Sequence, residues 1–359
     1  LKIAALNLPQ SLPLISHQCR NFKKSSISCF LDLSKEFSGL EKRLIYLDHH
    51  LSHTLTALPY SKVQKDLCSI VIDGFGDRST SSIAKVNNKY DIRELWSCDY
   101  PVSLGLFYSA ITDFLGFQVN EGEYKIMGLA PYGKPIYKDD IYEDFVEQNP
   151  FKLKQNLHRG LSDWHPEADV MDIAASIQVV TEELLAGLWH KASKYGSRNL
   201  VYAGGVALNC AANRVLANLG LFDNIWIIPN PGDAGSSLGC IAASEKQFIQ
   251  WEHPFLGHNI EGEYPVDALM KELKENKMVG VANGRAEFGP RALGNRSLLA
   301  DPRGEDIKDL VNSIKKRQKF RPFAPAILEE DVNDYFDLPT GVKNTPYMQY
   351  TAACTHGKD

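Results

Sequence analysis

Leu67-Cys68-Ser69-Ile70-Val71-Ile72-Asp73-Gly74-Phe75-Gly76 decides the fold class. Residues 67 to 72 are almost wholly apolar, and the run ends in a carboxylate and a Gly-x-Gly. That pattern predicts a strand covered on both faces, delivering Asp73 to a ligand-facing turn. Just beyond it, 82–86 and 90–96 flank Asn87-Asn88, a pair that tolerates positive φ, so a hairpin is expected. In 172–194, Ile173, Ile177, Val180, Leu184 and Leu188 recur at helical spacing, which predicts an amphipathic helix opened by Asp172 and stopped by Gly196. A second buried strand is expected over 199–203, running into Gly204-Gly205 and a helix from about Ala207. A third, over 224–228, precedes Pro229-Asn230-Pro231-Gly232-Asp233-Ala234-Gly235 and another helix. Strands alternating with helices, plus one hairpin, mean an α/β or mixed-sheet domain. Its glycine turns follow strand ends, where open α/β sheets bind ligands.

Further out the pattern weakens. Residues 1–40 show little periodicity. A polar stretch at 252–263, with Pro254, Gly257 and Gly262, divides the chain into expected domains at 1–250 and 251–359, the second opening with 278–283. Residues 347–350 read as a strand barely begun when the chain stops, and residue 1 is not methionine, so a fragment is expected. The 359 residues suffice for two domains without cross-links, and 44% apolar with 23% charged residues is an ordinary soluble composition. A net charge of −5 gives no global field toward nucleic acid or membrane, so any basic site is local. The seven cysteines (Cys19, Cys29, Cys68, Cys98, Cys210, Cys240, Cys354) include no C-x-x-C, which suits reduced thiols in a cytoplasmic protein. No apolar run reaches the roughly 18 residues of a membrane span.

Three constellations carry chemistry. In Asp48-His49-His50-Leu51-Ser52-His53, His49 and His53 are four apart and share a helix face, which suits two ligands on one metal; the bland alternative is histidines that cap or pack. Asp73 and Asp233 end a strand and a Pro-Gly turn, and would complete a mixed N/O set for iron, manganese or zinc. The turns Asp73-Gly74-Phe75-Gly76 and Ala203-Gly204-Gly205 allow a nucleotide to approach the backbone, although each also occurs in plain tight packing. Last, 284–297 (GRAEFGPRALGNRS) sets Arg285, Arg291 and Arg296 among three glycines and a proline. Guanidinium donors and a backbone N–H nest there predict an anion site. Residues 120–133, dense in glycine and carboxylates with one lysine, read equally as a polar loop crossing the cleft mouth and as a contact to acceptor or nucleotide.

The three glycine turns in order resemble the nucleotide cleft of the actin/hexokinase/Hsp70 (ribonuclease H-like) superfamily. With His49-His50-Leu51-Ser52-His53, Glu121-Gly122-Glu123, 125–133 (KIMGLAPYG), Ala203-Gly204-Gly205-Val206-Ala207-Leu208-Asn209, Gly232-Asp233-Ala234-Gly235 and the arginine loop, the chain from about 46 to 348 resembles the O-carbamoyltransferases of nodulation-factor and antibiotic biosynthesis. The resemblance implies an actin-like carbamoyl-transfer domain, its amino-terminal part missing here, and a truncated YrdC-like domain. It implies ATP and carbamoyl phosphate as co-substrates, carbamoyl-adenylate as intermediate, and Fe2+ or another divalent ion held by His49, His53, Asp73 and Asp233. Lys315 and Arg321, in Lys-x5-Arg-Pro-Phe-Ala-Pro, match residues that hold carbamoyl phosphate, with Arg285, Arg291 and Arg296 beside them. Gly74, Gly76, Gly204, Gly205 and Asn209 fall at the nucleotide, and His50 is expected to help deprotonate the acceptor. The partner is then a hydroxylated small molecule, with no nucleic acid and no membrane; a homodimer is one assembly the resemblance allows. The rivals are a threonylcarbamoyl-type tRNA-modifying protein and an inactive nucleotide-binding module.

Overall fold

The structure, a computed structural model, describes residues 47–58, 66–87, 91–148, 151–157, 160–161, 164–245 and 252–355. Residues 1–40, with Cys19 and Cys29, lie outside the described residues, and so do Asn88 and the hairpin's tip.

Strand β1 (Leu67–Ile72) is buried at every position. It pairs antiparallel with β2 (Ser79–Val86), and β2 pairs with β3 (Ile92–Asp99) as the expected hairpin. On its other side β1 runs parallel to β6 (Asn199–Ala203), which runs parallel to β7 (Asn224–Ile227). The sheet order β3-β2-β1-β6-β7 joins an antiparallel hairpin to parallel strands. It is the mixed α/β arrangement of an actin-like, ribonuclease H-like domain.

Period-two alternation divides β1 between two cores. Cys68, Ile70 and Ile72 face the larger one, with Leu104, Phe107 and Ile111 of α2 (Leu104–Phe114) and Ile173, Ile177, Val180, Leu185 and Trp189 of α5 (Val170–Ser193). Leu67 and Val71 face the smaller core, with Leu55 of α1 (His49–Ala57) and Ala242 of α7 (Asp233–Glu245). Burying each large apolar side chain is worth about 1.5–3 kcal/mol, so β1 is the anchor of both layers. Because β1, β6 and β7 are parallel, their carboxyl ends and following glycine turns share one edge of the sheet.

Several sequence expectations move. The long helix begins at Val170 and is capped by Asp169, which accepts the Met171 N–H at 2.7 Å; Asp172 instead takes the Lys134 N–H at 2.7 Å. After β6, Gly205–Leu208 is a 3-10 turn, and α6 (Cys210–Asn218) starts three residues later than expected, capped by Asn209. Residues 120–133, for which a polar loop is one reading, hold α3 (Glu123–Leu129), running into a 3-10 turn at Ala130–Tyr132. Glu123 accepts from Ser109 and from the Asn120 and Gly122 N–H groups, while Ile126 and Leu129 enter the larger core; α4 (Lys138–Asp144) and the small hairpin of β4 (Val146–Gln148) and β5 (Phe151–Leu153) follow.

Beyond residue 252 the described residues form three two-stranded ribbons: β8 (Asn259–Ile260) with β10 (Gly284–Arg285), β9 (Met278–Ala282) with β11 (Arg296–Ala300), and β12 (Phe336–Asp337) with β13 (Ala353–Cys354). Three helices accompany them, α8 (Val266–Asn276), ahead of the expected start at 278, α9 (Ile307–Ile314) and the single turn α10 (Val332–Tyr335). Residues 347–350 are not a strand. The Tyr347 carbonyl accepts from Arg291 and the Gln349 carbonyl from Asn213, while the Gln349 side chain donates to the Ile227 carbonyl at 3.2 Å. Side chains have taken the groups a ladder would need, and the segment lies on the end of the large sheet.

Candidate metal centre

Helix α1 starts where two carboxylates meet its free N–H groups. Asp48 accepts from Leu51 N–H and Asp77 from His49 N–H, both at 2.9 Å. That ties the His49 turn to the loop after β1. Within that loop the Asp73 N–H bonds the Thr80 carbonyl at 2.9 Å, and Asp73 Oδ1 accepts the Gly74 N–H at 2.7 Å, which leaves Oδ2 facing α1. Asp233 arrives on the first turn of α7. Helices α1 and α7 meet at Gly239, whose N–H donates to Thr56 Oγ1 at 3.0 Å while that hydroxyl donates to the Ser52 carbonyl at 2.8 Å. A Cβ at 239 would be driven into the Ser52 carbonyl oxygen.

These three elements bring four donors to one point. His53 Nε2 lies 3.1 Å from His49 Nε2, 3.0 Å from Asp73 Oδ2 and 3.3 Å from Asp233 Oδ1. His49 Nε2 lies 3.3 Å from Asp73 Oδ2 and 3.4 Å from Asp233 Oδ1. Ligand bonds of about 2.0–2.2 Å set neighbouring donors roughly 3–3.5 Å apart, so the spacing fits one transition-metal ion. Two imidazole nitrogens and two carboxylate oxygens suit borderline divalent metals. Asp233 is the open side of the group, its side chain 74% exposed against 1% for His53.

Charge reinforces the arrangement. Burial alone would lower the His53 pKa, but its hydrogen bonds to Asp233 and Asp73 and their charges outweigh that and raise it to about 9. Burial would raise Asp73; hydrogen bonds from His49 and His53 and the charge on His53 win, holding it well below the usual carboxylate range. A metal must displace the His53 proton, which stays bound up to about pH 9. Affinity for Co2+ or Zn2+ is therefore expected to rise roughly tenfold per pH unit from 7 to 9 and then level. Titration calorimetry at pH 7, 8 and 9 checks this; a flat profile contradicts it.

The other residues singled out from sequence fall into different environments. His50 stands outside the four donors. Its ring is buried beneath Gly76, its Nδ1 lies 2.7 Å from Ser82 Oγ, and its Nε2 has no hydrogen-bond partner among the described residues. Burial, then the neighbouring His49 and His53, lower its pKa to about 4, so the ring is neutral. A Cβ at Gly205 would stand 3.1 Å from Asp73 Oδ1, and one at Gly204 would be driven into the end of β1, so glycine lets this turn lie close against the strand end. Gly74 would leave a Cβ 3.5 Å from Leu106, ordinary contact. Asn209 caps α6 through the Ala212 N–H at 3.0 Å and bonds Gln178.

Within the arginine loop, Arg296 uses both terminal nitrogens on the carbonyls of Asn283, Asn295, His258 and Gly284. Arg291 donates to the Leu208 carbonyl at 2.8 Å and the Tyr347 carbonyl at 3.2 Å. Arg285 is exposed. The nest itself is filled from within. Glu287 Oε1 accepts the Leu293 and Asn295 N–H groups at 2.9 Å and that of Arg296 at 3.1 Å. Burial would raise the Glu287 pKa, but those N–H groups lower it. Lys315 is exposed at the end of α9, and the Arg321 guanidinium lies over the Tyr124 ring at 4.6 Å. Buried Asn312 donates to the Lys319 and Arg321 carbonyls and folds that cationic segment back on itself. Sequence reading missed Asp77, Gly239 and Glu287; only the Gly235/Gly239 spacing of four on one helix face was a usable signal.

Residues 16–243 match the family model for the carbamoyltransferase N-terminus, and residues 270–359 that for the carbamoyltransferase C-terminus. An uncharacterized protein of Synechocystis (sll1178) is 36% identical over 86% of this chain, and nodulation protein NolNO of Sinorhizobium fredii 33% identical over 91%. The chain spans 58% and 54% of the lengths of these two relatives. Among solved structures, full-length HypF in its phosphate- and nucleotide-bound form aligns with a TM-score of 0.40 at 15% identity, covering 58% of this chain and 44% of HypF. No helix among the described residues is long and apolar enough to cross a membrane. With both its parts matched in order, this chain belongs to the carbamoyltransferase family.

Proposed function

We propose that the chain forms part of an ATP-dependent O-carbamoyltransferase whose acceptor is a hydroxyl of a sugar or another small molecule. The observation that carries this reading is the convergence of His49, His53, Asp73 and Asp233 at the carboxyl edge of the sheet, in a chain of this family. In the proposed sequence, carbamoyl phosphate and water give carbamate and phosphate. A carbamate oxygen then attacks the α-phosphorus of ATP, releasing pyrophosphate and leaving carbamoyl-adenylate. The acceptor oxygen bonds the carbamoyl carbon, AMP departs, and the hydroxyl proton passes to a base or water.

In this reading Lys315 and Arg321 hold the anionic oxygens of carbamoyl phosphate, with exposed Arg285 at the nucleotide phosphates. The cationic segment is pre-set for that work by Asn312 and by the Tyr124 ring beneath Arg321. Arg291 and Arg296 are assigned to shaping the loop, since carbonyls occupy their donors. The glycine turns at 74–76 and 204–205 would admit the adenosine close to the backbone. His49, His53, Asp73 and Asp233 would hold a divalent ion, iron by resemblance, which supplies Lewis-acid polarisation when bound. His50, buried and neutral, is assigned to packing the Gly76 loop and not to proton transfer.

Full-length protein mixed with ATP, carbamoyl phosphate and a panel of polyols tests the proposal by pyrophosphate release and carbamoylated product. A charge-assisted hydrogen bond is worth about 1.5–3 kcal/mol, so Arg321→Ala is expected to slow pyrophosphate release roughly 10- to 100-fold. An unchanged rate removes Arg321 from the activation step.

A further inference from the structure

We infer that the arginine loop from Glu287 to Arg296 is a positioning device for the metal centre, through its contacts with the turn that presents Asp233. This rests on the metal reading above and adds residues outside the ligand set. Asp233 is the least enclosed of the four donors, so its place depends on the turn before α7. That turn is held at three points. The Gly204 N–H donates to the Pro231 carbonyl at 2.9 Å, and Gly235 lies tight under the Asn230 carbonyl. The third point is external: a Cβ at Gly289 would stand 2.9 Å from the Pro229 carbonyl oxygen and 3.6 Å from Asn230 Cβ.

The loop that brings Gly289 there is rigid for identifiable reasons. One Glu287 oxygen gathers three backbone N–H groups, and the Gly294 N–H donates to Ser297 Oγ at 2.9 Å, so four consecutive amides from 293 to 296 are all bonded to side chains of the same stretch. Arg291 clamps the same loop onto the Leu208 carbonyl, at the end of the turn after β6. The loop therefore bears on the glycine turns after both β6 and β7, and its closure passes through Glu287. Gly289 sits at φ +147° with no room for a Cβ, so the contact is backbone on backbone, where displacement cannot be absorbed by a rotamer. Outer-shell partners that orient ligands typically change metal affinity 10- to 100-fold when lost.

The test measures Co2+ affinity and the Co2+ ligand-field spectrum of the full chain, with thermal unfolding of the metal-free protein alongside. Gly289→Ala and Glu287→Ala are each expected to weaken Co2+ binding about tenfold and to shift the visible bands, with the four ligands untouched. Glu287→Gln keeps an acceptor oxygen in place and is expected to restore affinity to within about threefold of wild type. If wild type binds no Co2+, the metal reading itself fails. If wild type binds and all three variants bind equally with unchanged spectra, the coupling is wrong and the metal reading stands. Weakened binding that merely tracks a lower unfolding temperature, with Glu287→Gln as poor as Glu287→Ala, also overturns it.

Discussion

His53→Ala is expected to abolish carbamoyl transfer while leaving pyrophosphate formation from ATP and carbamoyl phosphate within about threefold of wild type. Of the four donors His53 is the most central, within 3.0–3.3 Å of the other three and fully buried. Its removal takes away one ligand and, beside the remaining bond from His49, the second hydrogen bond and the charge that hold Asp73 below the usual carboxylate range. Loss of an outer-shell partner costs 10- to 100-fold in metal affinity, so loss of a ligand should exceed about 100-fold. Lewis-acid stabilisation is worth several kcal/mol, and about 1.4 kcal/mol is a factor of ten, so transfer should fall by roughly 1,000-fold or more. Parallel assays of pyrophosphate and carbamoylated product separate the two steps. Equal loss of both would mean the cationic segment and the His/Asp group are one centre.

Gly239→Ala is the second large effect, and its sign is diagnostic. Helix propensity alone favours alanine by about 1 kcal/mol. Here the added methyl would enter the Ser52 carbonyl and crowd Thr56 Oγ1, at the crossing of α1 and α7. Overpacking of this kind costs about 1–3 kcal/mol, and a methyl driven into a carbonyl falls at the upper end, so after the propensity gain is offset we expect a net loss near ~2 kcal/mol and a lower unfolding temperature. Because α1 carries both histidines and α7 carries Asp233, prising them apart also stretches the donor set. Co2+ affinity is expected to fall with stability. A more stable Gly239→Ala protein would show that the helices do not meet as closely as described.

Much of the sheet was legible because burial imposes a period. Residues 67–72, 199–203 and 224–227 are short apolar runs bounded by turns, and nothing else fits them. Helix α3 was not legible. Gly122 and Gly128 bracket few apolar residues there, and it is held by Glu123 on Ser109 and by Ile126 in the core, contacts invisible at sequence range. Helix starts slipped where two cap-forming residues compete, as Asp169 and Asp172 do. At the site, the i, i+4 histidines, the strand-end Asp73 and Asp233 after its Pro-Gly turn could be read from residue type and spacing. The arginine loop could not, because a guanidinium looks alike in sequence whether it faces a ligand or a carbonyl. Arg291 reaches Leu208, 83 residues away, and Arg296 closes on its own loop and on His258. Glu287 was overlooked for the same reason: an acidic residue in a cationic stretch reads as incidental until its three amides are seen.

The return of residues 345–351 to the large sheet bears on how this protein can be dissected. An excised piece ending near residue 250, the natural place to cut, would bare the Ile227 carbonyl, would leave Asn213 Nδ2 only its bond to the Ala207 carbonyl, and would release the Cys210 carbonyl from the Thr351 N–H. It would also strip Arg291 from Leu208. A workable smaller unit would have to graft back the contacts that residues 345–351 make through Gln349 before its behaviour could stand for that of the intact chain.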